Sequence, residues 1–266
     1  MSDLVAEKLW IALTIGNSRY HWAWFLNTKL QSSWDTVYFT TDIITQMMSV
    51  NPIDLRSELV ARQIAISEVP IYLVSVVPNL SLIWQQLPQV KQIILADVLL
   101  LNLYPTFGID RALAILGAGE HYGYPALVID GGTALTITGV DHHRSLVGGA
   151  IMPGLRLQLR SLSTSTAALP EIELPGQFPS RWSNNTNDAI ASGILHTISS
   201  GLRDFVLDWE RLFPDSQIVF TGGDGEILAG YLQLILPEYL VRRIVFDREL
   251  LFCGVALIFR GESRLP

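Results

Sequence analysis

The chain has 266 residues, of which 49% are apolar and 16% are charged. This length is sufficient for one large domain or for two lobes of roughly 130 residues, each with its own core. A net charge of −7 provides no basic surface for nucleic acid or an anionic membrane. The single cysteine, Cys253, excludes an internal disulfide framework and a CxxC metal site. Its apolar neighbours favour a buried structural thiol over a nucleophile.

The N-terminal segment MSDLVAEKLW mixes acidic and basic residues and lacks the basic-then-apolar pattern of a signal peptide. The longest apolar stretch, residues 93–104, is interrupted by Asp97 and Asn102. It is also shorter than the roughly 20 residues that a membrane-spanning helix needs. We therefore expect a cytoplasmic protein with no membrane partner.

Strand-like runs dominate the first hundred residues. The pattern predicts strands at 10–15, 21–26, 36–40, 71–77 and 92–96. The first two flank a glycine-containing turn in the stretch IALTIGNSRY (11–20). Apolar residues at helical spacing predict one helix over 53–66, and strong helix formers ending in glycine predict another over 112–123.

The second half of the chain restarts this order with a similar turn in VIDGGTALTI (128–137). Predicted strands occupy 126–130, 134–141, 145–153 and 217–223, and predicted helices occupy 153–169, 187–213 and 226–236. Gly193 and Gly201 are candidate positions for a bend in the longest helix. The repetition indicates a duplicated α/β unit joined near residues 117–125. The alternative, two unrelated hairpins that merely look alike, is left open by the pattern.

Three glycine turns suit the binding of a nucleotide. A glycine lets backbone N–H groups approach phosphate oxygens, because no Cβ is in the way. Two hairpin turns facing each other across a cleft between lobes would clasp a polyphosphate. The third turn, TGGD at 221–224, could then take the base and ribose. Each turn alone is weak evidence, since such glycines also make ordinary hairpins, but the three in this order are more specific.

This order resembles the superfamily of acetate and sugar kinases and actin. The segments that are similar to type III pantothenate kinases are PTFGIDRAL (105–113), LVIDGGTALT (127–136), LVGGAIMPGL (146–155), NTNDAIASGI (185–194) and VFTGGD (219–224). The resemblance extends over about residues 10–255. It implies an actin-like ATPase and kinase fold, with two ribonuclease-H-like lobes built on duplicated mixed β-sheets with flanking helices. The implied lobes are 1–118, with the first hairpin and the GIDR element, and 119–266, with the second hairpin and the adenosine turn.

The resemblance implies ATP-dependent phosphorylation of pantothenate to 4′-phosphopantothenate, the first step of coenzyme A synthesis, by an enzyme that is typically a homodimer. It implies ATP with Mg²⁺ and a monovalent cation, K⁺ or NH₄⁺, as cofactors. The implied ATP contacts are Thr14, Ile15, Gly16, Asn17, Ser18, Arg19, Tyr20, His21 and Thr133. The implied pantothenate contacts are Tyr104, Gly108, Ile109, Asp110, Arg111 and Thr186.

Asp110 and Arg111 each have two interpretations. Asp110 at the start of a helix is suited to capping the helix, whereas the resemblance makes it the base that accepts the proton of the substrate alcohol. Both roles can hold together. Arg111 suits the carboxylate of pantothenate or is a solvated surface arginine.

Asp130 and Thr186 also have two interpretations each. Asp130 ends a predicted buried strand and needs a partner there. That partner is an arginine or turn amides on general grounds, or the monovalent cation if the resemblance holds. Thr186 is a substrate contact or a helix N-cap, and Asn185 or Asn187 could take the cap instead.

The first hairpin departs from the family pattern. That pattern reads D-x-G-N-[ST], and this chain has Thr14 in place of the acid. The acid usually helps to position Mg²⁺, and a threonine brings no charge. The alternatives are therefore an ATP-binding regulatory or sensor protein with weakened or lost catalysis, or a kinase for another small hydroxylated substrate.

Overall fold

The computed structural model describes residues 8–46 and 69–262. In chain order its elements are β1 (Leu9–Ile15), β2 (Tyr20–Leu26), β3 (Lys29–Thr36), α1 (Thr41–Gln46), β4 (Ile71–Ser75), α2 (Pro78–Trp84), β5 (Val90–Gln92), a 3₁₀ turn (Leu95–Asp97), α3 (Ile109–Tyr122), β6 (Ala126–Gly131), β7 (Ala134–Val140), β8 (Leu146–Pro153), α4 (Leu155–Ser165), α5 (Thr186–Leu212), β9 (Gln217–Thr221), α6 (Gly225–Gln233), α7 (Glu238–Val241), β10 (Ile244–Phe246) and α8 (Leu250–Glu262).

The described residues pack as two compact units. The first comprises 8–46, 69–98, 106–113 and 252–262, and the second comprises 99–105 and 114–251. Helix α3 therefore begins in the first unit and ends in the second. The predicted lobe boundary between 118 and 119 stays a prediction. The two units are defined by which residues pack together, and each is made of separate stretches of the chain.

The first unit contains a five-stranded mixed sheet in the order β3-β2-β1-β4-β5. Strands β1 to β3 form an antiparallel meander, and β4 and β5 run parallel to β1. Leu13 and Trp22 lie in a core that also contains Trp84 of α2. On the opposite face Trp10 stacks on Phe25, with ring centroids 4.1 Å apart. Because both faces are covered, β1 is apolar at every position except Thr14.

The second unit repeats the same arrangement. Its five strands lie in the order β10-β9-β6-β7-β8, with β6 to β8 antiparallel and with β9 and β10 parallel to β6. The predicted duplication is therefore confirmed, and the alternative of two unrelated hairpins is wrong. Helix α5 runs without interruption through Gly193 and Gly201, and it buries Leu202 and Trp209 in the core of this unit.

Two predicted strands of the first half are displaced. The strand predicted at 36–40 is wrong, because Asn27, at φ 54°, and Thr28 turn the chain directly into β3. Tyr38 and Phe39 instead leave the sheet and pack against Tyr20. The strand predicted at 92–96 lies earlier, at β5, and runs into the 3₁₀ turn. The helix predicted over 53–66 lies outside the described residues.

Helices α3 and α8 meet within the first unit. A Cβ built on Gly254 of α8 would lie 2.1 Å from the carbonyl oxygen of Leu113. Glycine is therefore required for this approach of α8 to the α3 backbone. Cys253, predicted to be buried, is half-buried on the same helix. Within 8–46 and 69–262, no helix has the length and apolar character to cross a bilayer.

Candidate functional site

The β1–β2 turn of the first unit is tightly held and exposed at its tip. The amide of Gly16 donates to the carbonyl of Arg19 at 3.1 Å, and the amide of Val76 donates to the carbonyl of Ile15 at 3.1 Å. The hydroxyl of Tyr38 donates to the carbonyl of Gly16. Burial raises the pKa of Tyr38, so this hydroxyl keeps the proton that it donates. The exposed residues between Gly16 and Tyr20, at 17–19, are the part of the turn that a ligand can reach.

A polar row crosses the sheet just before this turn. Thr14 on β1 pairs with His21 on β2, which pairs with Asp35 on β3. Thr14 is buried, and its hydroxyl makes a long hydrogen bond, 3.5 Å, to the carbonyl of His21. Asp35 accepts from His21 at 2.7 Å and pairs with Arg19 at 3.3 Å. Asp35 was not predicted as a site residue, because the third strand was predicted at 36–40 and lies at Lys29–Thr36.

The second unit brings Asp130 against a glycine turn. Asp130 on β6 is half-buried and pairs with Thr221 at the end of β9. Gly222, which follows, has φ +81°, and a Cβ on it would lie 2.2 Å from Asp130 Oδ1. Only glycine therefore fits beside the carboxylate. The predicted second hairpin and the predicted TGGD turn lie together.

The same cluster includes the starts of α4 and α6. The amide of Gly154 donates to the carbonyl of Thr133 at 2.9 Å, and the amide of Asp224 donates to the carbonyl of Gly131 at 2.8 Å. Arg156, largely exposed on α4, donates from Nε to the buried carboxylate of Asp224 at 2.8 Å. Thr133 itself is exposed. Arg156 carried no motif signal, since a lone arginine after proline and glycine is typical of a helix surface.

Asp110 and Arg111 form the first turn of α3, after Gly108. The Oδ1 atom of Asp110 accepts from the amide of Arg111 at 2.8 Å. A Cβ on Gly108 would lie 2.5 Å from that oxygen, so glycine makes room for the carboxylate. Arg111 is 6% exposed, and its guanidinium lies 4.6 Å from the centroid of the Phe107 ring. Its interpretation as a solvated surface arginine is therefore wrong, and Asp110 does make a capping-type bond.

The remaining predicted substrate contacts lie in the second unit. Tyr104 is exposed in the segment before α3, and Thr186 is exposed as the first residue of α5. Asn185 is the N-cap of α5, because its side chain accepts from the amide of Asp188 at 3.0 Å. The capping role thus belongs to Asn185, and the helix does not require the hydroxyl of Thr186 for it.

Comparison with protein families gives a match over most of the chain. The model of the type III pantothenate kinase family matches residues 10–207. A type III pantothenate kinase of Nostoc sp. is 41% identical, over 97% of this chain and 96% of its own length. One from Synechocystis sp. is 43% identical, over 96% of this chain and 92% of its own length.

Comparison with solved structures gives the fold. A Campylobacter jejuni protein described as a Baf family transcriptional activator has a TM-score of 0.64 at 20% identity, covering 96% of this chain and 100% of its own. An inorganic polyphosphate/ATP-glucomannokinase from Arthrobacter sp. has a TM-score of 0.50 at 17% identity, covering 96% of this chain and 99% of its own. The predicted actin-like ATPase and kinase fold is confirmed.

Proposed function

Because the chain belongs to the type III pantothenate kinase family, we infer that it catalyses the ATP-dependent phosphorylation of pantothenate to 4′-phosphopantothenate, the first step of coenzyme A biosynthesis. The observation that carries this conclusion is the family match over residues 10–207. That range contains both hairpin turns, the GIDR segment and the start of α5. The enzyme uses ATP with a divalent metal.

For the nucleotide, we propose contacts from residues 14–21 and from Thr133. The tight turn at Gly16 supports the first set, because its exposed tip offers backbone and side-chain donors to phosphate oxygens. The exposed Thr133 beside Gly154 supports the second. For the adenosine part of ATP, we propose the TGGD turn and Arg156, which pairs with Asp224 of that turn.

For pantothenate, we propose Tyr104, the segment 108–111 and Thr186. Asp110 would orient the primary alcohol and accept its proton late in a loose transition state. Its Oδ1 already accepts from the amide of Arg111, so Oδ2 is the oxygen for the alcohol proton. The guanidinium of Arg111 suits the substrate carboxylate through paired hydrogen bonds.

The divalent metal would be held chiefly by the ATP phosphates. In the part of the chain that the structure describes, no group of three or more acidic, histidine or cysteine side chains is placed to hold a metal ion. Thr14 offers only a hydroxyl at the position where the family pattern has a carboxylate. The metal would neutralise the charge that develops on the transferred phosphoryl group.

We further propose that Asp130 binds a monovalent cation, K⁺ or NH₄⁺. Its carboxylate lies in a cradle that a Cβ on Gly222 would fill, and carboxylate and backbone oxygens suit a hard cation. We also propose, as the resemblance to the family implies, a homodimer that acts in the cytoplasm. Light scattering on the purified chain tests the dimer.

A coupled assay of ADP release tests the function, with ATP, Mg²⁺, K⁺ and pantothenate. We expect ADP release that depends on pantothenate. ATP binding without turnover would instead indicate the regulatory or sensor protein. Turnover only with other alcohols would indicate a different kinase. The relatives from Nostoc sp. and Synechocystis sp., both type III pantothenate kinases, favour neither alternative.

A further inference from the structure

The ring of His21 is held between a carboxylate and the first phosphate turn. Its Nδ1 lies 2.7 Å from Asp35 Oδ1, and an ionised carboxylate only accepts hydrogen bonds, so Nδ1 is the donor. The opposite edge of the ring faces Gly16. A Cβ built on Gly16 would lie 3.3 Å from His21 Nε2 and 3.6 Å from its Cδ2. Asp35 therefore fixes the ring from behind, and Nε2 is directed at the turn.

The sheet enforces this arrangement. Directly opposed residues of antiparallel strands project from the same face, and Thr14, His21 and Asp35 are opposed in succession on β1, β2 and β3. The side chain of Asp35 is 27% exposed and that of His21 is 41% exposed. The pair is thus partly shielded from water and still open to a ligand at the turn.

We propose that Asp35 is a positioning residue of the nucleotide site, which acts by directing Nε2 of His21 at a phosphate oxygen of the ATP bound at the Gly16 turn. The proposal rests on the proposed function, because it takes this turn as the ATP site. Phosphate oxygens only accept hydrogen bonds. The ring therefore binds them as an imidazolium, with Nδ1 donating to Asp35 and Nε2 donating to the phosphate. A ring that is already oriented loses less freedom when the ligand binds.

Asp35 also pairs with Arg19. An effect of Asp35 on ATP through Arg19 is the alternative to an effect through His21. The Oδ2 atom of Asp35 pairs with Arg19 at 3.3 Å, and the side chain of Arg19 is 54% exposed. Exposed ion pairs contribute little, because water competes for both charges. The shorter contact of His21, and the orientation of its ring towards Gly16, favour His21 as the residue through which Asp35 acts.

A double-mutant cycle in ATP affinity separates these routes. ATP is titrated calorimetrically, without pantothenate, into the wild type, Asp35→Asn, His21→Asn and the double variant. We expect His21→Asn to weaken ATP binding about tenfold, which is the scale of one hydrogen bond to a charged group. Asp35→Asn should weaken it several-fold, and the double variant should bind no more weakly than His21→Asn alone. In the background of Arg19→Ala, Asp35→Asn should keep its effect.

Imidazole NMR gives a readout that a merely structural role would not change. In the wild type, long-range proton–nitrogen correlations should show His21 protonated at Nδ1 without ATP and at both ring nitrogens with ATP bound, with the signals assigned by their loss in His21→Asn. In Asp35→Asn without ATP, the ring should no longer hold the proton at Nδ1 alone. Thermal unfolding of each variant confirms that it folds. If Asp35→Asn does not fold, Asp35→Glu, which keeps the charge and moves the oxygens, replaces it in the cycle.

The outcomes separate this proposal from the proposed function. If the wild type binds ATP and turns over pantothenate, but Asp35→Asn binds ATP normally, the positioning role is wrong and the kinase stands. The positioning role is also wrong if the losses of ATP affinity from Asp35→Asn and His21→Asn simply add in the double variant. It is wrong as well if Asp35→Asn lowers ATP affinity in the wild type but not in the Arg19→Ala background. A wild type that does not bind ATP overturns both.

Discussion

At the scale of single residues, Asp110 combines a local structural bond with the proposed proton transfer. Asn at this position keeps an oxygen for the amide of Arg111 but cannot take the alcohol proton. We expect Asp110→Asn to lower kcat by about 10²- to 10⁴-fold, the usual contribution of a general base. ATP affinity and the melting temperature should change little. ADP release, calorimetric titration and thermal unfolding measure the three quantities.

Asp97 supplies a matched control for this variant. Its carboxylate likewise accepts a local backbone hydrogen bond, from the amide of Ile94 at 2.8 Å, and no role in the reaction is proposed for it. Asp97→Asn should leave kcat unchanged. Near-normal turnover by Asp110→Asn would remove the assignment of Asp110 as the base.

Thr14 allows a test of the acid that the first hairpin lacks. Thr14→Asp would place a carboxylate in the row that already contains Asp35, at a position that is 5% exposed. We expect it to lower the Mg²⁺ concentration at half-maximal rate, because a carboxylate binds Mg²⁺ and a hydroxyl does so weakly. Thr14→Asn, similar in size to Asp but uncharged, is the control. An unchanged Mg²⁺ requirement in Thr14→Asp would mean that another carboxylate already serves this purpose.

Residue types in turns were predictable because their chemistry is local. Glycine is favoured in tight turns, which made the glycines beside Asp130 predictable. Aspartate is favoured at the start of a helix, which made the position of Asp110 predictable. Asp35 and Arg156 were not predictable in this way. Each acquires its role from a partner that is distant in the sequence, His21 and Asp224 respectively.

At the scale of elements, buried strands were easier to predict than edge strands. Strand β1 is apolar except at Thr14, whereas β3 is an edge strand with polar residues at Lys29, Gln31 and Ser32. Edge strands often have such composition, which protects them against pairing with other chains. The apolar residues that follow β3 have the composition of a strand. Two of them, Tyr38 and Phe39, pack on Tyr20 instead of pairing in the sheet.

The contact between α3 and α8 gives a prediction about stability. In Gly254→Ala the new Cβ would meet the Leu113 carbonyl, 2.1 Å away, and backbone cannot move aside as a flexible side chain can. We expect the free energy of unfolding to fall by about 1–3 kcal/mol, as for other overpacked positions. Urea denaturation measures the change.

Gly201 on α5 is the control for this substitution. A Cβ there would meet nothing within 4 Å, and alanine favours a helix over glycine by about 0.5–1 kcal/mol. Gly201→Ala should therefore raise the free energy of unfolding. If Gly254→Ala were also neutral or stabilising, the close packing of α8 on α3 would be contradicted.

At the scale of the whole molecule, the repeated strand order explains why the duplication could be predicted from so little sequence identity. Each unit has the same order of elements, a hairpin, a third antiparallel strand and two parallel strands, and each hairpin has a glycine turn. The alternation of strands and helices is a local property of the sequence. The packing of α8 with the first sheet joins distant parts of the chain, and no local pattern predicted it.

The duplication leads to a prediction for both units at once. If ATP is bound by the hairpin turns as proposed, a non-hydrolysable ATP analogue should slow amide hydrogen exchange at residues 17–19 and at 132–133, because amides that donate to phosphate oxygens are protected. The controls are the turns at the opposite ends of β2 and β7. The turn at Asn27 and Thr28, and the turn that Asp141 stabilises by accepting from the amide of Ser145 at 2.9 Å, should exchange as before. Exchange measured by mass spectrometry that slows at one glycine turn only would contradict binding by both turns.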